Sequence, residues 1–382
     1  MIYLDNAATT RVAPEVFEAM SPFLQEEYGN PSSVYALAGR SAAALQEARR
    51  AFSDFIGADP QEVIFTGSGS EANNLAIKGM MRKYDGGHMI TCAIEHHAVL
   101  HTCEALQREG YDLTIVGVDQ HGIVDPGEVR DAIRDDTRLI SIMHSNNEVG
   151  TLQPIAEIAE IARQYEVLVH SDAVQSLGKV PIDVRELDVD MATFSAHKLH
   201  GPKGVGALYL RKGVRPEPQI HGGGQERRMR AGTENVSGIV GFGEAVKQVA
   251  AHGQQAAERV RALRDRLIDG MMDAIPEVVL SGHPERRLPN LASFLFHYIE
   301  GEGILLSLDM HEIAASSGSA CTSGSLDPSH VLLAMGHPHE IAHGSLRLSL
   351  SRYTTEEEID VVLEKLPPII QRLRDMSPLY PR

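Results

Sequence analysis

Short apolar runs alternate with amphipathic helical patterns from the amino end to about Leu210, and that alternation constrains the fold more than any other feature. Val63-Ile64-Phe65, His88 to Cys92, Leu113 to Val116, Leu139 to Met143, Val167 to His170, Met191 to Phe194 and Gly206 to Leu210 each read as a strand. Helical patterns fit before and between them, at Val12 to Leu24, Ser41 to Ile56 and Ile155 to Gln164. Strands joined through helices lie parallel and are covered on both faces, which is why these runs are apolar throughout rather than alternating. The expectation is an α/β fold with a mostly parallel sheet.

The order changes near residue 250. A long, charged, amphipathic pattern runs from Val246 to Ala274. Strand-like Asn290 to Phe296, Ala314 to Ser316 and Ser345 to Leu350 follow, and Glu356 to Arg374 reads as a closing helix. The expected division is therefore a large domain over residues 15–250 and a smaller C-terminal α/β domain over residues 251–382, against which residues 1–14 pack. With 382 residues the chain is long enough for two cores.

Charge excludes some partners. The chain has 52 acidic against 35 basic side chains, a net charge of −17. Such a field repels nucleic-acid phosphates and anionic lipid, and steers in a protein with a basic patch. No apolar run reaches membrane-spanning length, and Met1-Ile2-Tyr3-Leu4-Asp5 has no basic or apolar leader pattern, so the cytoplasm is the expected location. Three cysteines without a Cys-x-x-Cys spacing build neither a disulfide framework nor a zinc site. Cys92 and Cys103 read as small buried hydrophobes.

Chemistry concentrates at the ends of the apolar runs. Ser195-Ala196-His197-Lys198 puts a lysine just past a strand, on a turn of small residues leading into Gly201-Pro202-Lys203-Gly204. An amine held partly desolvated there loses preference for its charged form and becomes a nucleophile able to form a Schiff base. Asp172 ends the preceding strand and points into the crevice where open α/β sheets bind ligands, although an N-cap would use an aspartate equally well. Gly67-Ser68-Gly69-Ser70-Glu71-Ala72 follows a strand and opens a helix, so its backbone can cradle a phosphate. It also matches a dinucleotide fingerprint, with Glu95 as the ribose ligand, which keeps a nicotinamide dehydrogenase open as an alternative. A carboxylate and a Schiff-base lysine on one sheet edge, beside a phosphate cup, are what pyridoxal 5'-phosphate requires; a nicotinamide needs no such lysine.

Further residues extend this constellation. His96, in Glu95-His96-His97, can stack on an aromatic ring and move protons near neutral pH. Asn147 and Gln175 reach a ring hydroxyl or simply make turns. Cys321 lies in Ser316-Ser317-Gly318-Ser319-Ala320-Cys321-Thr322-Ser323, where nothing bulky anchors the segment, so an exposed and mobile thiol is expected there. Such a thiol is an oxidation hazard unless it is used. Arg347, on an otherwise apolar and small-residue strand, suits either a substrate carboxylate or a structural ion pair.

Together these stretches resemble the cysteine desulfurases of the IscS/NifS type, in the class V branch of fold-type I pyridoxal-phosphate enzymes. The resemblance is carried by Tyr3 to Thr10, Gly29-Asn30-Pro31-Ser32-Ser33, Ser195 to Lys198, His221-Gly222-Gly223-Gly224-Gln225-Glu226-Arg227 and Ser316 to Ser323. It implies that Lys198 forms the Schiff base with the cofactor, that Asp172 pairs with the pyridine nitrogen, and that His96 stacks on the ring and shuttles protons. Asn147 and Gln175 would lie near the ring hydroxyl. Gly69, Ser70, Ser195 and His197 would hold the phosphate, helped by Thr233 from the second subunit of a homodimer. Arg347 would grip the carboxylate of L-cysteine, and Cys321 would take its sulfur as a persulfide, leaving L-alanine. The sulfur would pass to an acceptor or scaffold protein for iron–sulfur clusters. Gly67-Ser68-Gly69-Ser70 departs from the family's usual cup, but serine keeps the hydroxyl, which implies looser packing rather than lost binding. A selenocysteine lyase and a class V aminotransferase are the alternatives nearest to this reading.

Overall fold

The computed structural model describes residues 1–318 and 327–381. The chain opens with the two-residue strand β1 (Ile2–Tyr3) and then enters a seven-stranded sheet. Its strands are β2 (Val63–Thr66), β3 (His88–Cys92), β4 (Asp112–Val116), β5 (Thr137–Ser141), β6 (Leu168–Asp172), β7 (Met191–Ser195) and β8 (Gly206–Leu210). Across the sheet the order is β2-β8-β7-β6-β5-β3-β4, and only β8 runs against its neighbours. The mostly parallel sheet is thus present. Strands β2, β3, β7 and β8 are buried along their whole length, as expected of strands covered by helices on both faces.

The second unit is antiparallel. β9 (Val278–Ser281), β10 (Leu291–Phe296) and β12 (Ser345–Ser349) form a three-stranded sheet with β10 in the middle, while β11 (Ile313–Ala314) pairs in parallel with β1. Three main apolar cores result among the described residues. The first covers one face of the large sheet and centres on Phe52, whose ring lies 4.9 Å from that of Phe242 and 5.4 Å from that of Phe194. The second gathers Leu4 with Leu267, Phe294, Phe296, Leu346 and Leu366. A third, with Ile64, Leu75, Met89, Leu139 and Leu208, covers the opposite face of the large sheet. A single helix, Val236–Ala274, gives Ile239, Phe242 and Val246 to the first core and Val260, Leu263 and Met271 to the second.

Local chemistry moves some boundaries. The long helix starts ten residues before the expected Val246, because Asn235 caps it by accepting from Gly238 N–H (3.0 Å). The pattern expected as one helix from Val12 to Leu24 is two, Pro14–Met20 and Pro22–Gln25, since Pro22 has no N–H to continue the ladder. β9 was not legible as a strand, its central Val279 and Leu280 being exposed and half-buried. Phe52→Ala should lower stability by about 3–5 kcal/mol, because a fully buried ring is lost without room for its neighbours to collapse. Urea unfolding of this variant beside the exposed-site control Tyr165→Ala, expected to stay within about 0.5 kcal/mol, checks the assignment of the core.

Candidate active site

The carboxyl ends of β2, β3, β6 and β7 meet on one edge, where an open parallel sheet has its crevice. A cavity of about 280 Å³ lies there. Gly69, Ser70, His96, Asn147, Asp172, Gln175, Ser195, His197, Lys198 and Arg347 all line it. Two expected residues are not among them. Thr233 is exposed and borders a separate hollow with Glu27, Gly29 and Asn30. Cys321 lies outside the described residues.

Lys198 is delivered by a single tight turn, Ala196–Lys198, directly after β7. The turn can fold back because position 201 is glycine: a Cβ there would stand 2.8 Å from the Ala196 carbonyl oxygen. Lys198 Nζ donates to the carbonyl oxygens of Ala7 and Ala8 at 2.6 and 2.7 Å. The adjacent His197 contacts Thr9 Oγ1 through Nδ1 (3.1 Å). Burial pushes its imidazole down to about 4, and Lys198 beside it acts in the same direction, so it is neutral at pH 7.

Asp172 is the last residue of β6 and is nearly buried, with both carboxylate oxygens engaged. Oδ1 accepts from Val174 N–H (3.0 Å) and Oδ2 accepts from Asn73 Nδ2 (2.6 Å). This aspartate therefore braces the turn after β6 and also lines the cavity. Asn73 itself was not singled out from the sequence. It sits one turn beyond Ser70 on the same helix, so an i, i+3 spacing from a cup residue was the signal available. Its Oδ1 is buried without a partner among the described residues.

The expected phosphate cup falls at the start of the helix Gly69–Met81, whose first N–H groups lack intrahelical acceptors. Ser68 caps it by accepting from Glu71 N–H (3.1 Å). Glycine is needed at Gly206, where a Cβ would lie 2.5 Å from the Ser68 carbonyl carbon, and the close approach of β8 keeps the cup open. His96 caps the helix His97–Arg108 by accepting from Ala98 N–H on Nδ1 (3.0 Å). A neutral ring that accepts at Nδ1 carries its proton on Nε2. Burial holds this imidazole below its usual range; Asp172 opposes that, and Lys198 adds to it.

Arg347, on β12, is buried, donating from Nη1 to the Asn147 carbonyl (2.9 Å) and from Nη2 to Asp5 (3.0 Å). The structural ion pair is therefore real, and Nε is left without a partner among the described residues. Gln175 donates from Nε2 to Ala7 O (2.9 Å). Asn146 is a turn residue, its Oδ1 accepting from Glu148 and Val149 N–H at 2.8 and 2.9 Å.

Glu95 overturns the dinucleotide reading. Its carboxyl is fully buried beneath the strands, accepting from Met143 N–H (2.5 Å) and Cys92 Sγ–H (3.1 Å), and does not line the cavity. No ribose can reach it. The cavity's own donor set is different: hydroxyls of Ser70 and Ser195 beside free helix N–H groups at one end, a carboxylate facing inward, and an amine. These fit a flat, cationic aromatic ring that carries a phosphate and an aldehyde.

Comparison with known proteins agrees. The model of the aminotransferase class-V family matches residues 2–362. A cysteine desulfurase IscS of Methanosarcina thermophila is 53% identical over 383 residues, covering 100% of this chain and 95% of the relative. A solved NifS-like protein superposes with a TM-score of 0.92 at 40% identity, over 97% of this chain and 100% of that one. The structure of SspA in complex with cysteine has a TM-score of 0.82 at 36% identity, over 93% of this chain and 100% of that one.

Burial raises the Glu95 carboxyl from 4.5 to about 8, the Met143 N–H offsetting part of the rise. A folded-state value above the unfolded one favours folding at low pH, so this stabilisation is complete below about pH 4.5 and is lost as pH climbs toward 8. Glu95→Gln should accordingly flatten the fall in urea midpoint between about pH 5 and 8. An unchanged slope would show that this carboxyl is ionised in the folded chain.

Proposed function

The chain belongs to the class-V aminotransferase family and is a pyridoxal-phosphate-dependent cysteine desulfurase, and from that premise we propose the roles of its side chains. One observation carries the proposal: an amine, an inward-facing carboxylate and a helix-start cup converge on one cavity. When bound, the cofactor supplies an electron sink that lets bonds at the substrate's α-carbon, and then its carbon–sulfur bond, be broken. Gly69, Ser70, Ser195 and His197 would hold its phosphate, and Asp172, kept in line by Asn73, would hold the proton on its ring nitrogen. Asn147 and Gln175 would face the ring oxygen.

Lys198 takes the α-proton of L-cysteine and can return it, since its amine can leave the Ala7 and Ala8 carbonyls for the cavity that it lines. Arg347, which lines the cavity, would bind the substrate carboxylate with its guanidinium. His96, neutral and protonated on Nε2, moves protons between substrate and solvent. The thiolate of Cys321 attacks the substrate sulfur: an S–S bond forms, the C–S bond breaks, and its electron pair is protonated on carbon. Cysteine and the Cys321 thiol become alanine and the Cys321 persulfide, so atoms and electrons balance. A larger unit over residues 15–250 would hold the cofactor, and a smaller one over residues 251–382 with 1–14 would carry Cys321.

A homodimer completes the proposal. Phe17, Leu24, Tyr28, Val34 and Tyr35 are exposed apolar residues on one stretch near the amino end, and Thr233 is exposed beside that stretch, free to reach a second copy. The sulfur acceptor would be a scaffold or carrier protein for iron–sulfur clusters, steered by its basic surface, and the setting the cytoplasm. No helix of the described residues is long and apolar enough to cross a membrane.

Replacing Cys321 by serine should preserve the visible absorbance of the bound cofactor and its change on adding L-cysteine, while alanine and sulfide formation fall by at least about a hundredfold. Alanine production at the unaltered rate would remove Cys321 from the chemistry. Lys198→Ala should instead abolish the borohydride-sensitive absorbance.

A further inference from the structure

A second amine reaches the cavity wall from behind. Lys179 stands at the end of the turn that follows Asp172, and its Nζ donates to Gln175 Oε1 (3.0 Å). The other end of that amide, Nε2, donates to Ala7 O (2.9 Å), the same oxygen that accepts from Lys198 Nζ (2.6 Å). One amide and one carbonyl therefore join the two lysines. They also share the border of a smaller cavity of about 80 Å³ on the far side of Lys198. None of the steps above employs Lys179.

We propose that Lys179 is a positioning residue for the cofactor, holding the Gln175 amide with its oxygen turned away from the main cavity and its N–H donors turned toward it. This rests on the reading that Gln175 faces the ring oxygen. A primary amide has almost the same shape in its two orientations, so only its hydrogen-bond partners distinguish them. Lys179 offers donors at one end, and Ala7 offers an acceptor at the other. A flipped amide would set oxygen against oxygen at Ala7 and N–H against N–H at Lys179. In the observed orientation one Nε2 hydrogen is used on Ala7, and the second remains for the cavity that Gln175 lines.

Electrostatics adds to the geometry. The titratable and charged groups around Lys179 are Lys198 and His197 on the turn after β7, His200 just beyond it, Arg347 on β12, and His252 and Arg352, which border the same smaller cavity. Burial pushes the Lys179 amine down to about 7, and Lys198 and Arg347 push the same way. Whenever it is charged, it opposes positive charge at Lys198 in return.

The test follows the visible band of the bound cofactor against pH in the holoenzyme. Lys179→Met should raise the midpoint of that titration by about one unit, because the protonated form loses an opposing cation and the ring oxygen loses an oriented donor. Gln175→Ala should raise it as well, and the double variant should shift by less than the sum of the two, as coupled residues do. Lys179→Arg should restore most of the original midpoint. Lys179→Leu, which also removes both the donor and the charge, serves the same comparison if the methionine variant folds poorly. An unmoved midpoint in Lys179→Met and Lys179→Leu beside a shifted one in Gln175→Ala overturns the proposal alone. Additive shifts overturn it too. No shift in Gln175→Ala overturns the placing of Gln175 at the ring, and the role of Lys179 with it.

Discussion

The contact between Lys198 and the backbone of Ala7 and Ala8 is the constraint on which the rest of the site depends. An amine at the end of a buried strand needs acceptors, and two main-chain carbonyls at 2.6 and 2.7 Å supply them. Those carbonyls are themselves held from both sides. Asn6 Nδ2 and Ala7 N–H donate to the backbone oxygen and hydroxyl of Ser349 on β12, both at 2.8 Å. Thr10 donates to the His197 carbonyl from its backbone (3.0 Å) and its hydroxyl (2.9 Å). A stretch of a few residues thus ties the antiparallel unit to the turn that carries the lysine. Asp5, in the same stretch, pairs with Arg347.

A second consequence is electrostatic. The chain as a whole is strongly acidic, at −17, yet Asp172 is the only acidic residue among the described ones that line the main cavity. Asp5 pairs with Arg347, whereas burial weakens the negative charge of two other neighbouring carboxyls: Glu148 is pushed up to about 7 and Glu95 to about 8. Histidines around the site are kept neutral by the same desolvation, His144 at about 4 and His170 at about 3. The cavity is therefore suited to a phosphate and an amino-acid carboxylate, while the outer surface repels large polyanions.

Much of this was legible in the chain because it is local. Strand-end residues could be named from apolar runs of the right length, and the cup from glycines and serines between a strand and a helix. Residues outside such motifs were not legible. Asn73 and Lys179 look like ordinary solvated side chains in a helix and a turn, and only their contacts with Asp172 and Gln175 distinguish them. Glu95 erred in the other direction: its position after β3 suited a ligand, but its side chain turns under the sheet toward Met143. Arg347 permitted two uses, and its bond to Asp5 is one of them.

Apolar periodicity and turn chemistry act over a few residues, so the amino-acid order alone determined the parallel sheet, the placing of Lys198 and Asp172 at strand ends and the helix-start cup. The folded chain decided which polar groups face one another. Asn73 meets Asp172 across 99 positions and Arg347 meets Asp5 across 342, separations at which no local pattern constrains direction. Whether a buried charge stays charged depends on those distant partners and on how completely water is excluded around it.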